Sequence, residues 1–226
     1  MPQQANLIAL HIKRNSEPSI SQITEAGILG KIGLNSAGVG VCLNAIRAKG
    51  VDFNRLPAHL ALRAALDSHS KAEAVARLEK SGVAAAAHIL IADATGGTSM
   101  ECSFLDVVKM EMRDGRIAHS NHFLVPHAPG VTDPLPLLDS KERMVRATEL
   151  LALASELEKP LTMQTMERIL EDEKGLPGAI NRMSSSASPS ATLFSIVMEL
   201  TTKTASVKIG RPTQCQGVVL LKPLEL

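Results

Sequence analysis

Three cysteines, Cys42, Cys102 and Cys215, are the strongest nucleophiles that the sequence offers. Their odd number and wide spacing form neither a metal-binding pair nor a disulfide framework, which is typical of a reducing compartment. Cys42 lies within an alternation of valine and leucine, where a cysteine is usually an inert small hydrophobe. Cys102 ends a short strand pattern beside Glu101 and is the better candidate for covalent catalysis through a thiolate.

Three histidines, His119, His122 and His127, form a small cluster in the sequence. A zinc site would need further ligands and a hydrogen-bonded support for each ring. On a strand, His119 and His122 would point to opposite faces, which separates them. We therefore expect partly buried or loop histidines here, with neither a metal ion nor a cofactor.

Two common nucleotide-binding motifs and one hydrolase motif are not matched by this sequence. Gly27, Gly30 and Gly33 are spaced three apart, which fits neither the dinucleotide fingerprint nor the P-loop and instead predicts turns between short strands. No G-x-S-x-G segment supplies a hydrolase serine. Arg182 and the serine-rich residues 184–188 offer donors for an anionic substrate, although most such loops are simply solvated.

Composition narrows the classes of protein. With 226 residues, 45% hydrophobic and 21% charged, the chain is expected to fold as a single domain over residues 1–226. A net charge of +1 and four aromatic residues argue against nucleic-acid binding. No apolar run approaches the ~18 residues of a membrane span and no signal-peptide pattern is seen, so we expect a cytoplasmic protein without membrane contact.

The elements that must position these residues follow a regular order. Proline at position 57 and the pair Ser70 and Glu73 predict two consecutive helices, and Asp139 with Glu142 opens a second helical pair. Alternation and apolar runs predict strands before, between and after these pairs. An Asp-Gly turn at 114–115 predicts a hairpin into residues 117–121. The predicted strands cover residues 7–13, 19–25, 39–43, 84–92, 100–103, 108–113, 192–199, 205–209 and 218–221. This order predicts an α+β protein with stacked sheets and helices outside.

Two segments carry a more specific pattern. Residues 23–45 hold glycine and asparagine at the spacing G-x-x-G-x-x-G-x-N-x-x-G-x-x-x-x-x-N, and residues 119–124 read HSNHFL. Residues 100–103 end in Glu-x-Ser, and residues 210–212 form a G-R-P turn. On these residues the chain resembles the acyl-coenzyme A:6-aminopenicillanate acyltransferase family, which are peptidase C45-like cysteine N-terminal-nucleophile hydrolases, over roughly residues 5–221.

The resemblance implies an αββα sandwich and acyl transfer through a thioester on an N-terminal cysteine, whose own amine acts as base. It implies that Asn121 donates to the oxyanion, because that residue matches the family's active-site asparagine. Ser103 matches a serine needed for maturation and activity, and Ser188 a serine of the substrate region. Pro189 stands where the family has an arginine, so Arg182 is the candidate to hold a substrate carboxylate.

The resemblance also implies that the family's nucleophile and first strand precede residue 1, so we expect a sandwich incomplete at its N-terminus. One hypothesis is an acyltransferase or amide hydrolase of fungal secondary-metabolite biosynthesis, acting on a small molecule with acyl-CoA as a candidate donor. Its nucleophile would be Cys102, an upstream segment or a separate chain that supplies the missing strands. The alternative is a non-catalytic remnant that binds a ligand or partner, or self-associates, through exposed sheet edges.

Overall fold

The computed structural model describes residues 6–134, 137–157, 161–186 and 189–224. Its first seven strands form one antiparallel sheet, in which each strand pairs with its neighbour in the sequence. Short connections favour this local antiparallel pairing, except between the fourth and fifth strands, where two helices intervene. The strands are β1 (Leu7–Ile12), β2 (Ile20–Glu25), β3 (Ile32–Asn35), β4 (Gly40–Ala45), β5 (Ala87–Asp93), β6 (Gly96–Cys102) and β7 (Val107–Glu111).

Helices α1 (Ala58–Leu66) and α2 (Lys71–Ser81) cover one face of this sheet. The predicted N-cap of α2 is confirmed, since Ser70 Oγ accepts the backbone N–H of Glu73 at 3.2 Å. Gly82 ends the helix with a φ of 61°, a conformation that costs glycine little. The apolar stripe of α1 is buried against the sheet through alanine and leucine side chains.

A second, three-stranded antiparallel sheet is built from the C-terminal part of the chain, with β9 in the middle. Its strands are β8 (Phe194–Glu199), β9 (Thr204–Ile209) and β10 (Gly217–Leu221), and helices α3 (Ser140–Leu157) and α4 (Met163–Leu170) precede them. Lys208 of β9 forms ion pairs with Glu167 and Glu171, which tie α4 to this sheet. Within the described residues, no helix has the length and apolar character needed to span a bilayer.

The two sheets stack on each other. Ile23 and Leu34 of the first sheet share a buried cluster with Ala205, Val207 and Leu221 of the second. The other face of the first sheet packs on α1 and α2, and α4 packs on the second sheet. The layers therefore run helix, sheet, sheet, helix, which confirms the architecture predicted from the order of elements.

The predicted glycine turns are also confirmed, and Gly30 shows one reason for them. A Cβ at Gly30 would lie 2.3 Å from the carbonyl oxygen of His59 in α1. Only glycine allows the β2–β3 turn to approach the helix backbone this closely. The turn is thus a packing feature of the sheet and α1.

The predicted strand at residues 117–121 is wrong. Asp114 and Gly115 do form a tight turn with φ of 51° and 72°, and Arg113 pairs with Arg116. Beyond that bridge, the chain leaves β7, and residues 117–128 contain no strand or helix. The reason is tertiary, because side chains of this segment bond to the first sheet instead of continuing a hairpin.

Candidate active site

Strands β5 and β6 present a polar face away from α1 and α2. Strand alternation places Ile89 and Met100 toward the helices, whereas His88, Ser99 and Glu101 project to the opposite side. These three polar residues are fully buried. Residues 117–128 lie over this face and supply four hydrogen bonds to Glu101, so we call this segment the cover segment.

Glu101 is the centre of this face. One carboxylate oxygen accepts from His119 Nε2 at 2.7 Å and from the backbone N–H of Leu124 at 2.6 Å. The other accepts from His127 Nε2 at 3.1 Å and from the backbone N–H of Val125 at 3.3 Å. Burial acts to raise the pKa of Glu101, but the hydrogen bonds outweigh burial and hold the pKa below its usual value.

The network extends to Ser103 through a second carboxylate. His127 Nδ1 lies 2.7 Å from Asp106 Oδ1, so each ring nitrogen of His127 faces a carboxylate oxygen and both bonds form when the ring carries two protons. Ser103 Oγ donates to Asp106 and accepts the backbone N–H groups of Leu105 and Asp106 at 3.1 Å. Ser103 therefore caps the β6–β7 turn and joins the network that holds the cover segment.

His88 links β4, β5 and β6. Its Nδ1 donates to Asn44 Oδ1 at 2.8 Å, its Nε2 accepts from Ser99 Oγ at 2.6 Å, and its ring stacks on His119 with centroids 3.5 Å apart. The Ser-His-Asn connectivity is that of a catalytic triad. Burial, and secondarily the His119 ring, lowers the pKa of His88 to about 2, so this imidazole is a poor general base.

Asn121 lies in the cover segment between the end of β4 and the start of α3. Its backbone N–H donates to Ser140 Oγ at 2.8 Å. Its side-chain Nδ2 donates to the carbonyl of Ala45 at 2.9 Å, and its Oδ1 accepts from Arg143 at 2.9 Å. The amide is thereby fixed in one orientation. Among the described residues, no second acceptor engages its Nδ2 group.

The predicted substrate-binding residues have different positions. Arg182 forms an ion pair with Asp139 at 2.6 Å, and Asp139 also binds Arg143 at 3.1 Å, so Arg182 is connected to Asn121 through two side chains, Asp139 and Arg143. A depression of about 330 Å³ is lined by Asp139, Arg143 and neighbouring residues of α3 and the 174–180 loop. Ser188 lies outside the residues that the structure describes.

The thiols give little support to a nucleophile within the core. Cys102 is fully buried on the helix side of β6, and burial, aided by Asp106 and Glu101, raises its pKa to about 12. Burial raises the pKa of Cys42 to about 11. Both values disfavour a thiolate at neutral pH, so the preference for Cys102 over Cys42 as a reactive residue is not supported.

Sequence reasoning missed Glu101 and His88 as structural centres of the site. The signal for His88 was present, because it is the single polar residue within the apolar run of residues 84–92. Glu101 was noticed only as the neighbour of Cys102. The histidines of the cover segment do come together, yet within the described ranges no group of His, Cys, Asp and Glu is arranged to hold a metal ion.

Comparisons with known proteins agree with this architecture. Penicillin V acylase from Agrobacterium tumefaciens superposes with a TM-score of 0.56 at 15% identity, covering 93% of this chain and 71% of that chain. The acyl-coenzyme A:6-aminopenicillanic-acid-acyltransferase 40 kDa form of Emericella nidulans is 39% identical over 210 residues. Those residues are 92% of this chain and 57% of that protein, so the chain spans little more than half of this relative's length.

The fold defines the class. Two stacked antiparallel sheets between helix layers, shared with a penicillin V acylase, are the sandwich of an N-terminal-nucleophile hydrolase. The family model described as acyl-coenzyme A:6-aminopenicillanic acid acyl-transferase matches residues 3–214. The chain belongs to this acyltransferase family, as the glycine-rich segment and the HSNHFL segment predict.

Proposed function

We propose that this chain provides the oxyanion-binding part of a cysteine-dependent acyltransferase or amide hydrolase. A cysteine thiolate attacks the carbonyl carbon of an acyl-CoA or amide and forms a tetrahedral oxyanion. Collapse of that intermediate expels the thiol or amine and leaves an acyl-enzyme thioester. An acceptor amine, or water, then attacks the thioester and releases the product with the thiol restored.

The observation that carries the proposal is the orientation of the Asn121 amide. The carbonyl of Ala45 and the guanidinium of Arg143 hold its two ends, and one N–H is left for a ligand among the residues described. A donor held before the reaction begins stabilises developing negative charge without reorganisation. Removing one such donor typically costs ~3 kcal/mol of transition-state stabilisation.

The remaining roles belong to the same proposal. The raised pKa values of Cys42 and Cys102 disfavour both of these thiols as the nucleophile, whereas Cys215 is exposed. The proposal places the nucleophile on another segment or a separate chain, as the resemblance to the family implies. Ser103 supports maturation, and Ser188 and Arg182 border the substrate. The substrate is a small molecule, and membership in a family with a fungal relative favours secondary-metabolite biosynthesis. The cytoplasm is the proposed compartment, as expected from the sequence alone.

The test compares Asn121→Ala with Asn54→Ala, a matched change at an exposed turn asparagine. The protein is purified from its native host through a C-terminal tag so that any associated chain is kept, and acyl-CoA and amide substrates are assayed. We expect Asn121→Ala to lower kcat by about 10²- to 10³-fold and Asn54→Ala to leave it unchanged.

A thiol-reactive acyl probe with mass mapping identifies the nucleophile in the same preparation. Wild-type protein that neither turns over these substrates nor acquires the probe on any cysteine would overturn the proposed function. Full activity in Asn121→Ala would remove Asn121 from the mechanism while leaving the reaction itself in place.

A further inference from the structure

The cover segment is attached to the sheet on both sides of Asn121. Glu101 binds the side chain of His119, two residues before Asn121, and the backbone of Leu124, three residues after it. Residues 117–128 contain no helix or strand that would fix their path. Ser120, Asn121 and His122 contact Ser140 at the start of α3, and Glu101 attaches the backbone on both sides of these three residues. The bonds to this one carboxylate therefore contribute to where this part of the backbone runs.

The negative charge of Glu101 suits a side chain that has to bind the donors of the cover segment. A fully buried carboxylate is costly unless hydrogen bonds satisfy it, and both oxygens of Glu101 accept two donors each. A neutral amide at this position would turn one end into a donor that faces other donors. The site is thus specific for a carboxylate rather than for a side chain of this size.

We propose that Glu101 is a positioning residue for Asn121. This proposal rests on the function proposed above. Glu101 sets the location of the oxyanion donor through His119 and the backbone of Leu124, and it does not touch the substrate. Ser140 holds the three residues centred on Asn121 and Arg143 orients its amide, whereas Glu101 attaches the segment on either side of them. Displacement of a catalytic group by about 1 Å can cost 10²-fold in rate.

The experiment uses Glu101→Gln in the full chain, with the side-chain amide signal of Asn121 read by ¹H–¹⁵N NMR and assigned by its loss in Asn121→Asp. Asn35→Ala is the matched control. Asn35 is also fully buried and fully bonded, but its contacts are to the β3–β4 turn and the end of α1. We expect Glu101→Gln to move or broaden the Asn121 signal and Asn35→Ala to leave it in place.

Hydrogen exchange gives a second reading that needs no turnover. We expect residues 119–125 to exchange faster in Glu101→Gln, while α1 and α2 keep their protection. An unmoved Asn121 signal, with a melting temperature lowered as in Asn35→Ala, would show a merely structural role and overturn the proposal. His119→Phe removes the contact of Glu101 before Asn121, together with the 2.9 Å contact between His119 Nδ1 and the Ser120 carbonyl, and leaves the bond to Leu124 in place. It decides the question in the same way when Glu101→Gln does not fold.

A kinetic arm separates this proposal from the proposed function. If wild-type protein turns over acyl substrates, Glu101→Gln lowers kcat by about 10²-fold with little change in KM, and Glu101→Asp restores part of the loss. If wild-type protein shows no turnover, the proposed function fails, but the NMR and exchange measurements still accept or reject Glu101 as the residue that positions Asn121.

Discussion

Strands β5 and β6 have two buried faces with opposite chemistry. Toward α1 and α2, Ile89 and Met100 are fully buried in an apolar cluster. On the other face, His88 and Glu101 are buried to the same degree, but hydrogen bonds to the cover segment and neighbouring strands take the place of packing. The same two strands are therefore stabilised on one face by the packing of apolar side chains and on the other face by hydrogen bonds between buried polar groups.

The difference determines how each face responds to change. An apolar face loses stability in proportion to the volume removed, and that loss is independent of pH. A polar face loses stability when one partner is removed, because the other partner stays buried without its bond. It also responds to pH wherever a buried group changes its charge. Asn121, the candidate oxyanion donor, lies in the cover segment that bonds to the polar face. Its position should therefore respond to loss of a hydrogen-bond partner on that face and to pH.

The largest expected effect is on the apolar face. Leu62→Ala removes a fully buried side chain from the cluster between α1 and the sheet. We expect the free energy of unfolding to fall by about 3 kcal/mol, from lost transfer energy and the cavity that remains. Urea unfolding at pH 5 and pH 8 measures the loss, which should be the same at both values.

Leu60→Ala is the matched control on the same helix, since Leu60 is 42% exposed. It should cost less than about 1 kcal/mol. The contrast between the two faces breaks down if Leu62→Ala costs no more than Leu60→Ala, or if its cost depends on pH.

The fold could be predicted because its signals are local. The alternation in β1 and the capping pair Ser70 and Glu73 are written in adjacent residues, and the structure contains both elements. The error at residues 117–121 came from the same kind of reasoning. The Asp-Gly turn was correctly predicted, but the hairpin stops where His119 binds Glu101, a contact that no local pattern indicates.

The site was less predictable than the fold. Asn121 could be named because its segment resembles a family motif, not because the sequence shows what it faces. Its partners Ala45 and Arg143 come from β4 and α3, and only the folded chain brings them together. Arg182 was predicted to compensate for a missing arginine. Its ion pair with Asp139 now connects it to Arg143 instead of leaving it to a substrate alone.

A smaller effect is expected on the polar face from Asp106→Asn. Burial raises the pKa of Asp106, but bonds from His127, Ser103 and the backbone of Ala128 bring it below the usual value. Replacing the carboxylate weakens charge-assisted bonds, and we expect a loss of about 2 kcal/mol at pH 6. Because the folded-state pKa is lowered, this stabilisation is complete above the unfolded pKa of about 4 and is lost as pH falls from that value through the folded-state pKa.

Urea unfolding of both proteins between pH 3 and pH 7 gives the difference directly. Asp114→Asn is the control, because the Asp114 side chain is 87% exposed. Its difference from wild-type protein should stay near zero throughout. A loss in Asp106→Asn that stays constant down to pH 3 would mean that the carboxylate contributes shape rather than charge.

The smallest expected effect sharpens the comparison within the polar face itself. Burial, and then the His119 ring, lowers the pKa of His88 to about 2, so its ring ¹⁵N resonances should not move between pH 4.5 and pH 8. Loss of these signals in His88→Gln assigns them, and a titration midpoint above pH 5 would contradict the expectation. Constant signals would mean that this face keeps a carboxylate charged by supplying donors and an imidazole neutral by excluding water. His119 connects the two groups, because it bonds to Glu101 and its ring stacks on that of His88 with centroids 3.5 Å apart.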